Sequence, residues 1–241
     1  MSALWDFVFS LFCGLLGLCS QDSCRAISHA QVDHIVCSYS VEEISVRLFL
    51  QDGEGKAYGR LSRLRSSLQD QPLMLMNGGM YHDDLDAVGL YVENREQKQS
   101  ISTKDGWGNF HLLPNGVFWI RGDQIGVDET KTYLKRRIKP DFATQSGPML
   151  VINGKLHHRF LKHSDSRKIR NGVGISADGK TVHFAISKRS VTFWDFGKLF
   201  QERLNTPNAL FLDGTVSAIW TKKYRRSGWR ALGPMIAVFK K

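Results

Sequence analysis

The repeated placement of short apolar runs between glycine-containing turns constrains the fold of this chain more than any other feature. The clearest example spans 170–187, where apolar residues alternate with other residues on both sides of the turn ADGK (177–180). Alternation with a period of two is typical of half-buried strands, and a short turn between two such runs indicates an antiparallel hairpin. The 22 glycines against 6 prolines fit many tight turns. The pattern therefore predicts a fold rich in strands.

Further strands and three helices are predicted along the rest of the chain. Single strands are expected in HIVCSYS (34–40), EISVRLFL (43–50), VGLYVEN (88–94) and PMIAVF (234–239). The segment FHLLPNGVFWIRGDQIGV (110–127) predicts two strands joined by PNG, with a turn at RGDQ, and FATQSGPMLVINGKLHH (142–158) predicts two strands around SGP. Helical spacing of leucines predicts a helix over 60–69, and acidic residues followed by basic ones predict a helix over 128–138. A third helix is predicted over 193–204, capped by Thr192 with Asp195 three residues on. We expect one α+β domain over 31–241, mostly antiparallel β-sheet with a few flanking helices.

The N-terminal segment has a different composition. Residues 3–20 are almost entirely apolar, and SHA (28–30) places small residues where a signal peptidase reads them. Residues 1–30 are therefore predicted to be a signal peptide of an exported, periplasmic or secreted protein, with an uncleaved hydrophobic anchor in the membrane as the alternative. All four cysteines, at 13, 19, 24 and 37, lie in the first 37 residues. Cleavage after Ala30 would leave only Cys37, so no intrachain disulfide is expected.

The net charge of +10 favours anionic partners such as phosphorylated substrates, anionic glycans, lipid headgroups or nucleic acid. The basic clusters KRRIK (135–139), RKIR (167–170) and KKYRR (222–226) are interpreted first as solvated surface. No nucleic-acid partner is expected, because no zinc-finger spacing, ribonucleoprotein motif or basic helix is present. The segments HDDLD (82–86) and HHRFLKHSD (157–165) contain residue types that bind metals but lack the spacing of a ligand set. No cofactor is expected, with a divalent metal as the alternative.

Three apolar strands end in polar and glycine residues, at LMLMNGG (73–79), FATQSGP (142–148) and NALFLDG (208–214). Strand ends can present side chains to a common pocket, and glycine allows a ligand to approach the backbone. SDSRKIRNGVG (164–174) adds basic residues before a further strand, and the guanidinium fork of arginine suits phosphate. Each residue also has a purely structural interpretation: Asn77 and Asp213 as turn residues, Arg170 in a surface ion pair. Tryptophans 107, 119, 194 and 220 are expected mostly in the core, although an exposed one could stack on a sugar.

Taken in order, the motifs NGGM, VGLYVEN, GNFHLLPNGVF, QSGPMLVINGK, SRKIRNGVGIS, FAIS and NALFLDGTVS resemble those of the phosphodiester glycosidase family. The resemblance runs from about residue 35 to the C-terminus and is strongest to a bacterial branch of exported proteins. It implies hydrolysis of the bond between the anomeric carbon of a sugar and a phosphodiester, with a phosphorylated sugar or glycoconjugate as the partner.

Carried onto this chain, the resemblance implies that Asp213, Arg170 and Asn77 are the catalytic residues. Asp213 would act as a base or electrostatic stabiliser, and Arg170 would neutralise the phosphate. The remaining residues implied at the substrate are Gly78, Gly79, Gln145, Ser146, Gly147, Arg167, Asn171, Gly214 and Ser217. A second carboxylate is open among Asp86, Asp105, Asp141 and Asp195.

The chain departs from the family pattern at LDGTVS. Thr215 and Val216 stand where the family usually has two further glycines. If those glycines bind substrate through the backbone, the chain would take a smaller ligand or have altered activity. This departure favours the alternative hypothesis, a non-catalytic binder of anionic glycan or envelope polymer.

Overall fold

The structure, a computed structural model, describes residues 23–241, and its strands form three sheets within that range. The first sheet has seven strands in the order β1-β2-β13-β12-β14-β10-β11, all paired antiparallel. These strands are β1 (Cys24–His29), β2 (Val32–Ser40), β10 (Met149–Ile152), β11 (Lys155–Leu156), β12 (Asn171–Ile175), β13 (Thr181–Ser187) and β14 (Asn208–Asp213).

The other two sheets have five strands each, and they too pair antiparallel. The second sheet has the order β16-β15-β4-β17-β3, from β3 (Ile44–Phe49), β4 (Met74–Asn77), β15 (Ile219–Thr221), β16 (Arg225–Arg226) and β17 (Met235–Lys240). The third has the order β6-β5-β9-β7-β8, from β5 (Tyr91–Glu93), β6 (Glu96–Gln99), β7 (Gly116–Arg121), β8 (Gln124–Glu129) and β9 (Phe142–Ser146).

Three α-helices flank the sheets of residues 23–241: α1 (Leu61–Ser67), α2 (Thr130–Arg136) and α3 (Phe193–Lys198), the last continued by a π-helical turn over Leu199–Arg203. All three predicted helices are confirmed. The predicted cap is confirmed as well, because the Thr192 hydroxyl accepts a hydrogen bond from the Asp195 amide and donates one to the Asp195 carboxylate.

The inner faces of the three sheets meet in one core. Leu48 and Met76 of the second sheet, Phe118 of the third, and Phe184 and Leu212 of the first belong to a single buried cluster. Each outer face has its own smaller cluster, with α3 on the first sheet, α1 on the second and α2 on the third. The predicted class, a single α+β domain dominated by antiparallel strands, is confirmed.

One expectation about local structure was wrong. The segment 110–113 is not a strand, because the amides of His111 and Leu112 bond locally to Gly108 and Asn109 in a short 3-10 helix (Asn109–His111). Of the four tryptophans expected mostly in the core, Trp119 is buried and Trp194 and Trp220 are half-buried, whereas Trp107 is 97% exposed.

The N-terminal end of the described chain is a paired hairpin. Its turn residues Ala30 and Gln31 both have positive φ, and the predicted boundary after Ala30 falls inside this turn. Cys24 and Cys37 face each other across the two strands and form a disulfide, which corrects the expectation of no intrachain disulfide.

The predicted leader lies mostly outside the described residues, as do Cys13 and Cys19, and the signal peptide stays a prediction. No helix within 23–241 has the length and apolar character that crossing a membrane requires.

We expect the double variant Cys24→Ala, Cys37→Ala to be less stable than the wild type by about 2–4 kcal/mol, because the cross-link restricts the unfolded chain. Urea unfolding of the full chain would measure this difference. Reducing agent should lower the wild-type midpoint towards that of the variant and leave the variant unchanged. An equal response of both proteins to the reductant would contradict the prediction.

Candidate functional site

The ends of strands from all three sheets meet at one place. Asn77 ends β4, Ser146 ends β9, and Asp213 ends β14 beside its partner Asn171, which begins β12. The Asn171 side-chain amide donates to the Asn77 carbonyl oxygen at 2.9 Å and to its Oδ1 at 3.0 Å. The Ser146 hydroxyl donates to the Leu212 carbonyl at 3.0 Å. The strand ends singled out in the sequence are therefore neighbours in space.

The Asp213 side chain is buried, with 6% of the residue exposed. Its Oδ1 accepts hydrogen bonds from the backbone amides of Thr215 and Val216. Burial raises the pKa of Asp213 above its ordinary value, although the amides of the following turn act in the opposite direction. Such a carboxylate is a stronger base than an ordinary aspartate.

The departure at Thr215 and Val216 leaves this turn intact. Neither residue has a positive φ, so the turn does not require glycine at either position. Each residue supplies its backbone amide to Asp213, as a glycine would. The Val216 side chain is buried in the cluster beneath α1, and Thr215 is exposed.

Arg170 is completely buried (0% exposed), so its interpretation as part of a surface ion pair is wrong. Its Nε donates to the Val191 carbonyl and its Nη2 to the Ser166 carbonyl, each at 3.0 Å. The guanidinium carbon lies 3.6 Å from the centre of the Phe193 ring. Burial lowers the pKa of Arg170 to about 10, which leaves it protonated at neutral pH.

The remaining guanidinium nitrogen of Arg170 faces the Asp213 turn. Nη1 is buried and has no hydrogen-bond partner among the residues described. A Cβ added to Gly214 would lie 3.4 Å from Nη1, so this nitrogen lies beside the residue that follows Asp213. No ion pair joins Arg170 to a carboxylate within 23–241, and the site therefore contains a buried cation with an unused donor.

Asn77 and Thr144 supply further unbonded polar atoms. The Asn77 Oδ1 accepts from the Ala218 amide at 2.8 Å, but its Nδ2 is buried without a partner in the described chain. Thr144 Oγ1 is buried and likewise unbonded, and a Cβ on Gly79 would lie 2.6 Å from it. Glycine at 79 therefore allows the NGG backbone to approach β9, and Gly78 similarly packs against Ile236.

Ser217 and Gln145 are engaged within the protein. The Ser217 hydroxyl lies 2.9 Å from the Ile169 carbonyl and 3.0 Å from that of Asp213. The Gln145 Oε1 accepts from the amides of Leu90 and Ser102, and its Nε2 donates to the Ser102 carbonyl and to a threonine hydroxyl. The structure thus gives Gln145 an anchoring position, and its predicted contact with substrate stays a prediction.

Gly147 and Arg167 lie at the margins of this group. A Cβ on Gly147 would approach the Phe110 carbonyl to 2.8 Å, which explains glycine there. Arg167 points towards the start of α3, with its Nη2 3.9 Å from Asp195.

The structure distinguishes two of the four candidates for a second carboxylate. Asp141 directly precedes β9 and therefore lies at the opposite end of that strand from Ser146. Its carboxylate accepts hydrogen bonds from the Arg95 side chain and from the Gly122 amide. Asp195 lies in the first turn of α3, where its carboxylate accepts a hydrogen bond from the Thr192 hydroxyl, and it faces Arg167. Asp86 and Asp105 are exposed on loops. Within 23–241 no group of three histidine, cysteine or acidic side chains is arranged to hold a metal ion.

Tyr81 was missed in the sequence and lies in the same region. Burial, followed by the charge of Asp213, raises the pKa of Tyr81 to about 12. Its hydroxyl donates to the Ala231 carbonyl at 2.6 Å, and its ring packs against Gly233. The sequence feature that could have indicated Tyr81 is the presence of a bulky side chain two residues after the Gly-Gly pair of NGG.

A comparison with protein families gives a match to the phosphodiester glycosidase family over residues 71–239. The chain belongs to this family. The matched range extends from just before β4 almost to the end of β17, and it contains every residue of the site described above. The chain is thus a member of a family of glycosidase-type hydrolases that act on phosphodiesters.

Two kinds of relative are consistent with this membership. The uncharacterized protein YigE of Escherichia coli K12 is 39% identical over 179 residues, which cover 73% of this chain and 70% of that protein. The catalytic domain of zebrafish N-acetylglucosamine-1-phosphodiester alpha-N-acetylglucosaminidase, auto-inhibited by its pro-peptide, has the same fold with a TM-score of 0.63 and 14% identity. That similarity covers 90% of this chain and 82% of the zebrafish domain.

A hypothetical protein from Synechocystis has a TM-score of 0.60 and 11% identity, covering 90% of this chain and 61% of its own. Both structural similarities therefore extend beyond the range matched by the family. The similarity of fold therefore includes part of the chain that precedes residue 71.

We expect Asp213→Asn to increase stability at neutral pH, because asparagine can still accept the turn amides without burying a charge. A raised pKa means that the folded state holds the Asp213 proton to higher pH than the unfolded state. The wild type therefore loses stability relative to the variant as the pH rises above the unfolded pKa of about 4, and a tenfold difference in proton affinity between the folded and unfolded states corresponds to about 1.4 kcal/mol.

Urea unfolding at pH 3 and pH 7 would measure this difference, which should be present at pH 7 and absent at pH 3. Asp178→Asn is the matched control, because a hydrogen bond from Ser176 lowers the pKa of this exposed turn aspartate. The control should gain no stability at pH 7. A loss of stability at pH 7 in Asp213→Asn would contradict the expectation.

Proposed function

We propose that this protein hydrolyses the glycosidic bond of sugar-1-phosphodiesters on cell-envelope or extracellular glycoconjugates, with Asp213, Arg170 and Asn77 at the reacting centre. The observation that carries the proposal is the buried Arg170 guanidinium, which has a free Nη1 donor beside Gly214. A buried charge without a counter-charge is costly, and it is retained where a ligand supplies the opposite charge.

A phosphodiester suits this position because its oxygens accept the paired donors of arginine. The bond to be cleaved has phosphate as its leaving group, so neutralising the developing negative charge matters more than protonating it. Arg170 remains protonated over the neutral range and is fixed by two backbone carbonyls and by Phe193. It would stabilise the departing phosphate without having to reorganise.

Asp213 is suited to activate water. In the proposed step, the oxygen of water bonds to the anomeric carbon, and the bond from that carbon to the phosphate oxygen breaks with its electron pair on phosphate. The Asp213 carboxylate accepts the proton released by water. Its raised pKa favours this acceptance, and the amides of Thr215 and Val216 fix its orientation.

The unbonded polar atoms of Asn77 and Thr144 would bind sugar hydroxyls. Both are buried donors or acceptors close to the NGG backbone, and burial makes an unpaired polar atom unfavourable unless a ligand satisfies it. Trp229, which is 80% exposed, lies two residues before the carbonyl acceptor of Tyr81 and offers an aromatic face for a sugar ring.

The alternative, a binder without turnover, was suggested by the altered LDGTVS motif. The altered residues still supply two amides to Asp213 and have ordinary backbone conformations. This arrangement favours an active enzyme. Export is proposed on separate grounds, since the disulfide between Cys24 and Cys37 is typical of oxidising compartments.

A panel of N-acetylhexosamine-1-phosphodiesters, assayed for free sugar, would test the proposed activity. We expect Asp213→Asn to lower kcat by about 10²–10⁴-fold, because the base is lost. Arg170→Lys should lower kcat/KM by at least about tenfold, since lysine lacks the planar fork. Arg136→Lys is the matched control: the Arg136 guanidinium also contacts an aromatic ring, but it lies in α2 against the third sheet and is ion-paired with Asp128. Binding of the substrates by the wild type without release of sugar would overturn the enzyme proposal in favour of the binder.

A further inference from the structure

An arginine-lined cleft lies beside the candidate site. It has a volume of about 350 Å³ and is enclosed by the start of α1, by β15 and β16, and by the segment 227–232. Five arginines line this arginine cleft and no acidic residue does: Arg60, Arg65, Arg225, Arg226 and Arg230. Trp220 forms part of its wall, with the Arg65 guanidinium 4.7 Å from the centre of its ring.

The charges of the cleft are not neutralised within the described protein. None of the five arginines has a carboxylate of residues 23–241 within ion-pair distance, whereas the nearby Arg63 of α1 pairs with Asp52 at 2.7 Å. Trp220 Nε1 is buried and has no hydrogen-bond partner in the same range. Like charges around one cavity repel each other. Arginines that served only to keep the surface solvated would be spread over that surface, where they repel each other less.

Two structural connections place the arginine cleft next to the candidate site. Ala218 donates its amide to Asn77 Oδ1, and the following residue, Ile219, lines the cleft. On the other side, the Tyr81 hydroxyl donates to the carbonyl of Ala231, which stands between two cleft residues, Arg230 and Leu232. Tyr81 is also close enough to Asp213 for that charge to contribute to its raised pKa. The cleft therefore adjoins the site at two places in the fold.

We propose that the arginine cleft binds phosphate groups carried by the leaving group of the substrate. This inference rests on the proposed function and narrows its substrate class to sugar-1-phosphodiesters whose aglycone bears further phosphates, as in a short chain of linked phosphates. Guanidinium groups bind phosphate oxygens in pairs, and five of them suit several phosphates rather than one. The volume is at the low end for small-molecule sites and admits a few such units, not a nucleic-acid duplex.

Direct binding is the first test. Calorimetry with inorganic triphosphate would compare the wild type with Arg225→Ser, Arg226→Ser, both exposed on the short strand β16. We expect the double variant to bind at least about tenfold more weakly and to show a smaller salt dependence, because two charge-assisted contacts are lost. Lys131→Gln, Lys135→Gln on the exposed face of α2 is the matched control, which removes the same charge and should keep wild-type affinity.

Equal weakening in both double variants would overturn the proposal, since it would show attraction by overall charge alone. Tighter binding of a single-stranded oligonucleotide than of an oligophosphate of equal charge would also overturn it, in favour of a nucleic-acid site.

The second test uses turnover. The methyl ester of a sugar-1-phosphate would be compared with a substrate whose aglycone carries two further phosphates. We expect the wild type to prefer the longer substrate by at least about tenfold in kcat/KM, and the ratio to fall at least about fivefold in the Arg225→Ser, Arg226→Ser variant. The lysine control should keep the wild-type ratio.

The outcomes separate the two proposals. Cleavage of both substrates with equal kcat/KM would overturn the arginine cleft as an aglycone site and leave the proposed hydrolase in place. Cleavage of neither substrate would overturn the hydrolase, and with it the assignment of the cleft to a leaving group, even if triphosphate binds.

Discussion

The side-chain amide of Asn171 joins two sheets at the point on which the rest of the site depends. It reaches from the first strand position of β12 to both oxygens of Asn77 at the end of β4. The Asn77 side chain in turn receives the Ala218 amide, and the Ser217 hydroxyl contacts the Asp213 carbonyl. Because these polar atoms are buried, the two bonds from Asn171 fix β12 of the first sheet against β4 of the second, two strands that no backbone ladder connects.

Around this network, the fold holds two buried charged groups that it does not neutralise. Asp213 has backbone amides as partners, and Arg170 has backbone carbonyls and aromatic rings. Neither residue has an ion-pair partner in the described structure, so burying each charge lowers the stability of the folded state. The large shared core of the three sheets offsets that loss. Such a balance is typical of sites where a ligand completes the electrostatics.

Much of the fold could be predicted from the sequence because its signals are local. Alternation around ADGK predicted the hairpin of β12 and β13, and helical spacing predicted α1. The order of acidic and basic residues predicted α2, and the Thr192 cap predicted α3. The errors came where the local residue pattern does not decide the hydrogen bonding. The segment 110–113 has strand-like residues but bonds locally, and β1 was assigned to a leader although it pairs with β2 and is cross-linked to it. The short strands β6, β15 and β16 carry little apolar pattern and were missed.

The sequence by itself determined the class of fold, the family and the strand ends that carry Asn77, Ser146, Arg170 and Asp213, because these follow from short-range patterns and ordered motifs. Only the tertiary structure decided what those residues contact. The Gln145 side chain is hydrogen-bonded within the protein, and Tyr81 lies close enough to Asp213 for that charge to raise its pKa. Arginines from α1, β16 and the segment 227–232 line one cleft. The physical reason is that the deciding contacts join residues far apart in the chain, such as Asn77 and Ala218, which are separated by 141 positions.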